Sequence, residues 1–131
     1  MKELLDRFIS LERNLSEQRG PFALFALFLR EDAQDRWDVI VAAPWIEADR
    51  KSALTVLTDQ IQRSLSPDEL TQLSRVVIVD ENNPALEAIN SAVHVEHGAA
   101  DVQDSNFFGL HIRRAFIITS QRLGLKTPAL V

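Results

Sequence analysis

Phe22–Leu29 reads Phe-Ala-Leu-Phe-Ala-Leu-Phe-Leu, an apolar run too short for an ordinary helix and without polar alternation. A strand of that composition has to be covered on both faces, because either face left bare would put a row of large apolar side chains in water. The chain must therefore supply packed layers on each side. Its 131 residues are enough to do so as a single α/β domain spanning residues 1–131, and its 46% hydrophobic and 25% charged content is that of a globular chain.

The covering elements can be read from periodicity. Leu4, Leu5, Phe8, Leu11 and Leu15 recur at helical spacing among charged residues, which predicts an amphipathic helix over residues 2–18, stopped by Gly20-Pro21. Trp37–Ala43 reads as a second strand, joined to the first by a short Asp-rich turn and so paired with it as an antiparallel hairpin, with Pro44 ending it. From Asp49, a side chain suited to capping, Leu54, Leu57, Ile61 and Leu65 form the inward stripe of a second helix. Ser66-Pro67-Asp68-Glu69 has the form of a capping box with proline at the first helical position.

Arg75–Val79 is a β-branched run with the look of a buried, central parallel strand, and Asn83-Pro84 opens a helix that turns Leu86, Ile89 and Val93 inward. Residues 98–106 are polar and read as loop. Phe107–Thr119 reads as one long strand with Phe108, Leu110, Ile112, Phe116 and Ile118 on a common face, and residues 121–131 as a weakly structured tail. The expected fold is α/β, with a mixed β-sheet, an N-terminal hairpin, two strand-helix-strand crossovers, and helices packed on the sheet.

Composition removes several classes of function. The chain has no cysteine, so disulfides, thiolate zinc sites and thiol nucleophiles are absent, and a reducing cytoplasmic setting is expected. The first twenty residues alternate charge with apolar side chains, unlike a signal peptide, and no apolar stretch is long enough for a membrane span. A net charge of −5 argues against general nucleic-acid binding. Acids nevertheless crowd residues 31–49, whereas after Asp104 only Arg113, Arg114, Arg122 and Lys126 carry charge, so the two regions are expected to be solvated faces or to meet in the fold.

The ligand-binding candidates are Trp45, Asp80, Glu81, Asn82 and Asn83. The Asp80–Asn83 loop follows the carboxyl end of a parallel strand, where open α/β sheets receive ligands, and Trp45 follows the end of the neighbouring strand. The loop's bland reading is a turn and a helix cap. His94 and His97 are three apart, which a metal could use on a helix, but Gly98 next to them favours histidines that stabilise a helix C-terminus, and no metal ligand is assigned. Arg114, beside Phe116 on its strand, is expected to need a carboxylate partner in a buried ion pair drawn from the acidic stretch, and Arg113 points the other way.

No serine, histidine or glycine pattern assembles a catalytic set, and no cofactor is implied. The expected function is a non-enzymatic binding or regulatory module that acts through protein–protein interaction, with a second copy of the chain among the candidate partners. The alternative is a metal-assisted hydrolase or nuclease built on Asp38, Asp80 and Glu81. A small-ligand sensor with its pocket at the Asp80 edge lies between the two.

Overall fold

The computed structural model describes residues 2–32 and 35–123; most of the predicted tail, residues 124–131, lies outside them. Along the described residues run α1 (Lys2–Arg19), β1 (Leu24–Arg30), β2 (Trp37–Ala42), α2 (Pro44–Ala48), α3 (Arg50–Ser64), α4 (Pro67–Leu70), β3 (Leu73–Ile78), α5 (Pro84–Ala92), β4 (Ala100–Phe107) and β5 (Leu110–Ser120). The strands make one mixed five-stranded sheet in the order β3-β2-β1-β5-β4, an α/β fold. No described helix is long and apolar enough to cross a membrane.

The apolar run occupies β1, the central strand, flanked by β2 and β5, both antiparallel to it. Its side chains divide between two cores. Phe25 and Leu27 join Trp37, Val39, Val41 and Phe116 beneath Leu4, Phe8, Leu11 and Leu15 of α1 and Ala53, Leu57 and Ile61 of α3. Leu24, Ala26 and Phe28 join Ile40, Ala42, Ala115 and Ile117 on the other face, where α5 contributes Leu86 and Ile89. Two long helices cover the first face, and one nine-residue helix covers part of the second. That imbalance leaves room for a groove.

The capping readings are met in detail. Asp49 accepts from the Ser52 N–H at 3.1 Å, Ser66 and Glu69 close a capping box at 3.2 and 2.8 Å, and Asn83 accepts from the Ala85 N–H at 2.9 Å. At the end of α1, Gly20 takes φ 128° while its N–H donates to the Ser16 carbonyl, a backbone conformation that a side chain would strain.

Several expectations are corrected. Pro44 ends β2 but also opens α2, which carries Trp45. Leu54, expected inward, is 40% exposed, and Ala53 takes the buried position beside Leu57 and Ile61. The strand expected at the centre, β3, runs parallel to β2 as read but forms an edge and is only partly buried. Its β-branched run reflects one covered neighbour, not two. After β3, α5 carries the chain to β4 at the opposite edge, so only the first crossover joins adjacent parallel strands.

The polar segment read as loop is β4, and the long strand read through Phe107–Thr119 is the end of β4, a tight turn and β5. The turn residues Phe108 and Gly109 both have positive φ, 55° and 76°, and join a pair closed by Phe107 and Leu110. A two-residue hairpin of this kind normally announces itself with Asn-Gly or Asp-Gly, and phenylalanine in the first position hides it. A register shift between Leu29 and Arg30 sets Arg30 opposite Ile112 with Arg113 left over, so Ile112 belongs to the α5 face whereas Phe116 and Ile118 face α1 and α3.

Candidate functional site

The groove left beside α5 is built from the floor upward by alternation. Phe28 of β1, Ile40 of β2, Val77 of β3 and Val79 just past its end point to the sheet face that α5 only partly covers. The β4–β5 turn forms a second wall: the Phe107 ring stacks on Phe28 at 5.1 Å between centroids and the Phe108 ring stands 6.2 Å from it. Phe108 achieves this in the left-handed region, at a cost of about 1–2 kcal/mol relative to a relaxed backbone. Between these walls lies a groove of about 340 Å³ that reaches Leu110 at one margin and Asp80 and Asn83 at another.

Charge is concentrated at the groove's two ends and is internally compensated. Asp38, in β2 and 1% exposed, accepts from Arg30 Nε at 2.7 Å through Oδ2, and Arg75 Nε approaches the same oxygen at 3.3 Å. The Asp38 carboxylate holds the Arg30 guanidinium above its ordinary pKa. Both arginines use Oδ2, which leaves Oδ1 buried with no hydrogen-bond partner among the described residues, a cost of about 1–3 kcal/mol. At the other end Arg50 donates to Glu47 at 2.8 Å and stands 3.5 Å from Asp80.

The Asp80–Asn83 candidates form a compact turn here. Asp80 accepts from the Asn82 N–H at 2.9 Å, the Glu81 N–H donates to Glu47 at 3.3 Å, and Asn83 caps α5. Asp80 and Asn83 line the groove. Glu81 titrates above the ordinary carboxylate range, chiefly through partial desolvation, with the charges of Glu47 and Asp80 adding to it. Trp45 stands apart from the groove lining, on the α1 and α3 side of the sheet, with its ring 5.6 Å from Phe22 and its Nε1 buried without a partner among the described residues.

Of the groove lining, only Asp80 and Asn83 are ligand-binding candidates from the sequence; Arg30, Arg50, Arg75, Phe108 and Leu110 are among those not singled out. One signal was present: an aspartate inside the otherwise apolar Trp37–Ala43 run has to be buried, and a buried carboxylate needs cationic partners. Their identity depends on the pairings Asp38↔Phe28 and Asp38↔Arg75, which only the sheet supplies.

The histidine reading is also corrected. α5 ends at Ala92, so His94 and His97 follow the helix instead of capping its last turn. His97, at φ 54°, directs Nδ1 to Glu12 at 2.6 Å; Glu12 is fully buried in α1 and accepts from Thr119 Oγ1 at 2.8 Å. This network ties α1 to the end of β5. Arg114 finds its carboxylate in Asp101 of β4, at 3.2 and 2.8 Å, and lies 4.7 Å over Phe116, but the pair is some 40% exposed and does not draw on the acidic stretch. The acidic and basic regions do meet elsewhere, through Arg113 and Asp35 at 2.8 Å.

Among the described residues no three His, Asp or Glu side chains gather as a metal-binding group. No family model, curated protein or solved structure matches the chain.

Proposed function

We propose that the chain is a non-catalytic binding module that engages a protein partner through the groove beside β3. One observation carries this reading: the groove's charged groups neutralise one another, Asp38 with Arg30 and Arg75 and Asp80 with Arg50, while its walls are apolar and it borders an edge of the sheet. Groups committed in this way orient a ligand instead of attacking it. Two of the three carboxylates that a hydrolytic cation would use, Asp38 and Asp80, are held by arginines, so a cation bound there would have to displace cationic side chains.

The net charge of −5 favours a protein over a nucleic acid as partner, and the absence of cysteine suits the reducing cytoplasm. The test is capture and cross-linking with the full chain as bait. Val77→Lys puts a cation on the groove floor, and Glu17→Lys on the exposed side of α1 serves as the control. A partner retained by the wild type and the control but lost with a folded Val77→Lys is the expected outcome. A partner set indifferent to Val77→Lys overturns the reading.

A further inference from the structure

The groove beside α5 has a counterpart across the sheet. A second groove, of about 440 Å³, runs between β3 and α3, with Leu54, Ile61, Leu70 and Val76 in its walls, and Arg75 borders both. The two large apolar side chains left exposed among the described residues, Leu54 at 40% and Leu110 at 38%, stand one in each groove.

Between the grooves runs a strand edge. Among the described residues β3 pairs with β2 alone, and the Val79 N–H just beyond it donates to the Val41 carbonyl at 2.8 Å. Because the N–H and C=O of successive residues alternate sides along a strand, those of Val77 and Arg75 also turn toward β2 and those of Val76 and Ile78 turn outward. An outward row of donors and acceptors with an apolar trough on either face matches one occupant geometry: an extended backbone whose side chains alternate between the two troughs.

Arg75 supplies the selectivity. It is 50% exposed, and the carboxylate it touches, Asp38, is held more closely by Arg30, at 2.7 Å against 3.3 Å. A guanidinium has five donors, so Arg75 has capacity for a second carboxylate. A second copy of the chain is poorly suited, because two-fold pairing of β3 with itself centred on Arg75 or Val76 sets arginine close to arginine.

We infer that β3 accepts an extended segment of a different protein as an added strand, with apolar side chains entering both grooves and an acidic residue facing Arg75. This rests on the groove reading above and specifies its partner. The probes are two terminally blocked peptides alternating valine and threonine, one with a central glutamate and the other with a central lysine, titrated into the ¹⁵N-labelled full chain. The glutamate peptide should perturb the Ser74, Val76 and Ile78 amides and bind about tenfold more tightly than the lysine peptide.

Arg75→Gln should erase that preference, and Val76→Pro, which removes an outward N–H and leaves the β2 ladder intact, should weaken both peptides. Equal affinities for the wild type, or perturbations away from β3, overturn the inference. So does a shift of the same amides on dilution without peptide, which would mean that β3 pairs with itself. Those results leave the groove reading standing, since that reading falls only if Val77→Lys fails to change partner capture.

Discussion

β4 carries Asp101, Gln103, Asp104 and Asn106 along one edge of the sheet, whereas β3 presents Val76, Val77 and Ile78 along the other with Arg75 as its single charge. At Asp104 the backbone turns to φ 50°, and the ladder with β5 has no pair between Gln103↔Arg114 and Ser105↔Ile112. Acidic side chains and a local kink are the means by which natural sheets discourage pairing at an edge. β3 has an irregularity only at its start, where Ser74 is left over between Trp37↔Leu73 and Asp38↔Arg75; from Arg75 to Ile78 its register with β2 is regular, and Val76, Val77 and Ile78 are β-branched. The same sheet thus closes one edge to association and leaves the other suitable for it. Two apolar grooves bracket the β3 edge.

The largest expected effect separates centre from edge. Leu27→Asp buries a carboxylate at a fully enclosed position of β1 and should unfold the chain, with a loss above about 4 kcal/mol. Val77→Asp, on a half-buried edge strand, should cost about 1–3 kcal/mol and leave a folded protein. Urea denaturation followed by circular dichroism compares the two directly. Equal severity would mean that β3 is as enclosed as β1.

A second change inverts the edges. Asp101→Val combined with Asp104→Asn removes the acids of β4 while keeping a residue tolerant of positive φ at 104. Stability should fall by less than about 1 kcal/mol, because the Asp101–Arg114 pair is solvated, yet light scattering should detect concentration-dependent association. A variant that stays monomeric would indicate that backbone geometry alone protects β4.

The smallest effect concerns the loop that follows β3. Glu81 has a pKa raised by folding, so its contribution favours the folded state below the ordinary glutamate value of about 4.3 and is lost as the pH rises through the folded value. At neutral pH its ionised form is a mild penalty. Glu81→Gln should raise the melting temperature slightly at neutral pH and leave it unchanged below pH about 4. A gain that persists at acid pH would point to packing in place of charge.

Much of the fold was legible because its signals are local. The Asp49, Ser66 and Asn83 caps depend on atoms within three residues of each helix start, and each forms as read. The β1–β2 hairpin followed from two apolar runs separated by a short polar turn. The readings that failed needed information from outside their own segment. β4 is polar because it is an edge, and polarity at an edge looks like a loop in sequence. Glu12 lies among charged residues of α1, and nothing nearby reveals that His97 and Thr119 will meet it.

The candidate site divides along the same line. Asp80 and Asn83 could be named because a loop after a parallel strand lies at a predictable place. Phe108 could not, because its place in the groove depends on a tight turn that its own side chain disguises. Sequence alone determined the α/β class, the starts of α3, α4 and α5, the doubly covered Phe22–Leu29 run and the absence of thiol chemistry, since each follows from residue type and spacing within a short window. Tertiary structure alone decided that β3 is an edge, that Asp38 gathers Arg30 and Arg75, and that two grooves flank one strand. Strand order is a long-range choice made by the packing of whole faces, and no local pattern encodes it.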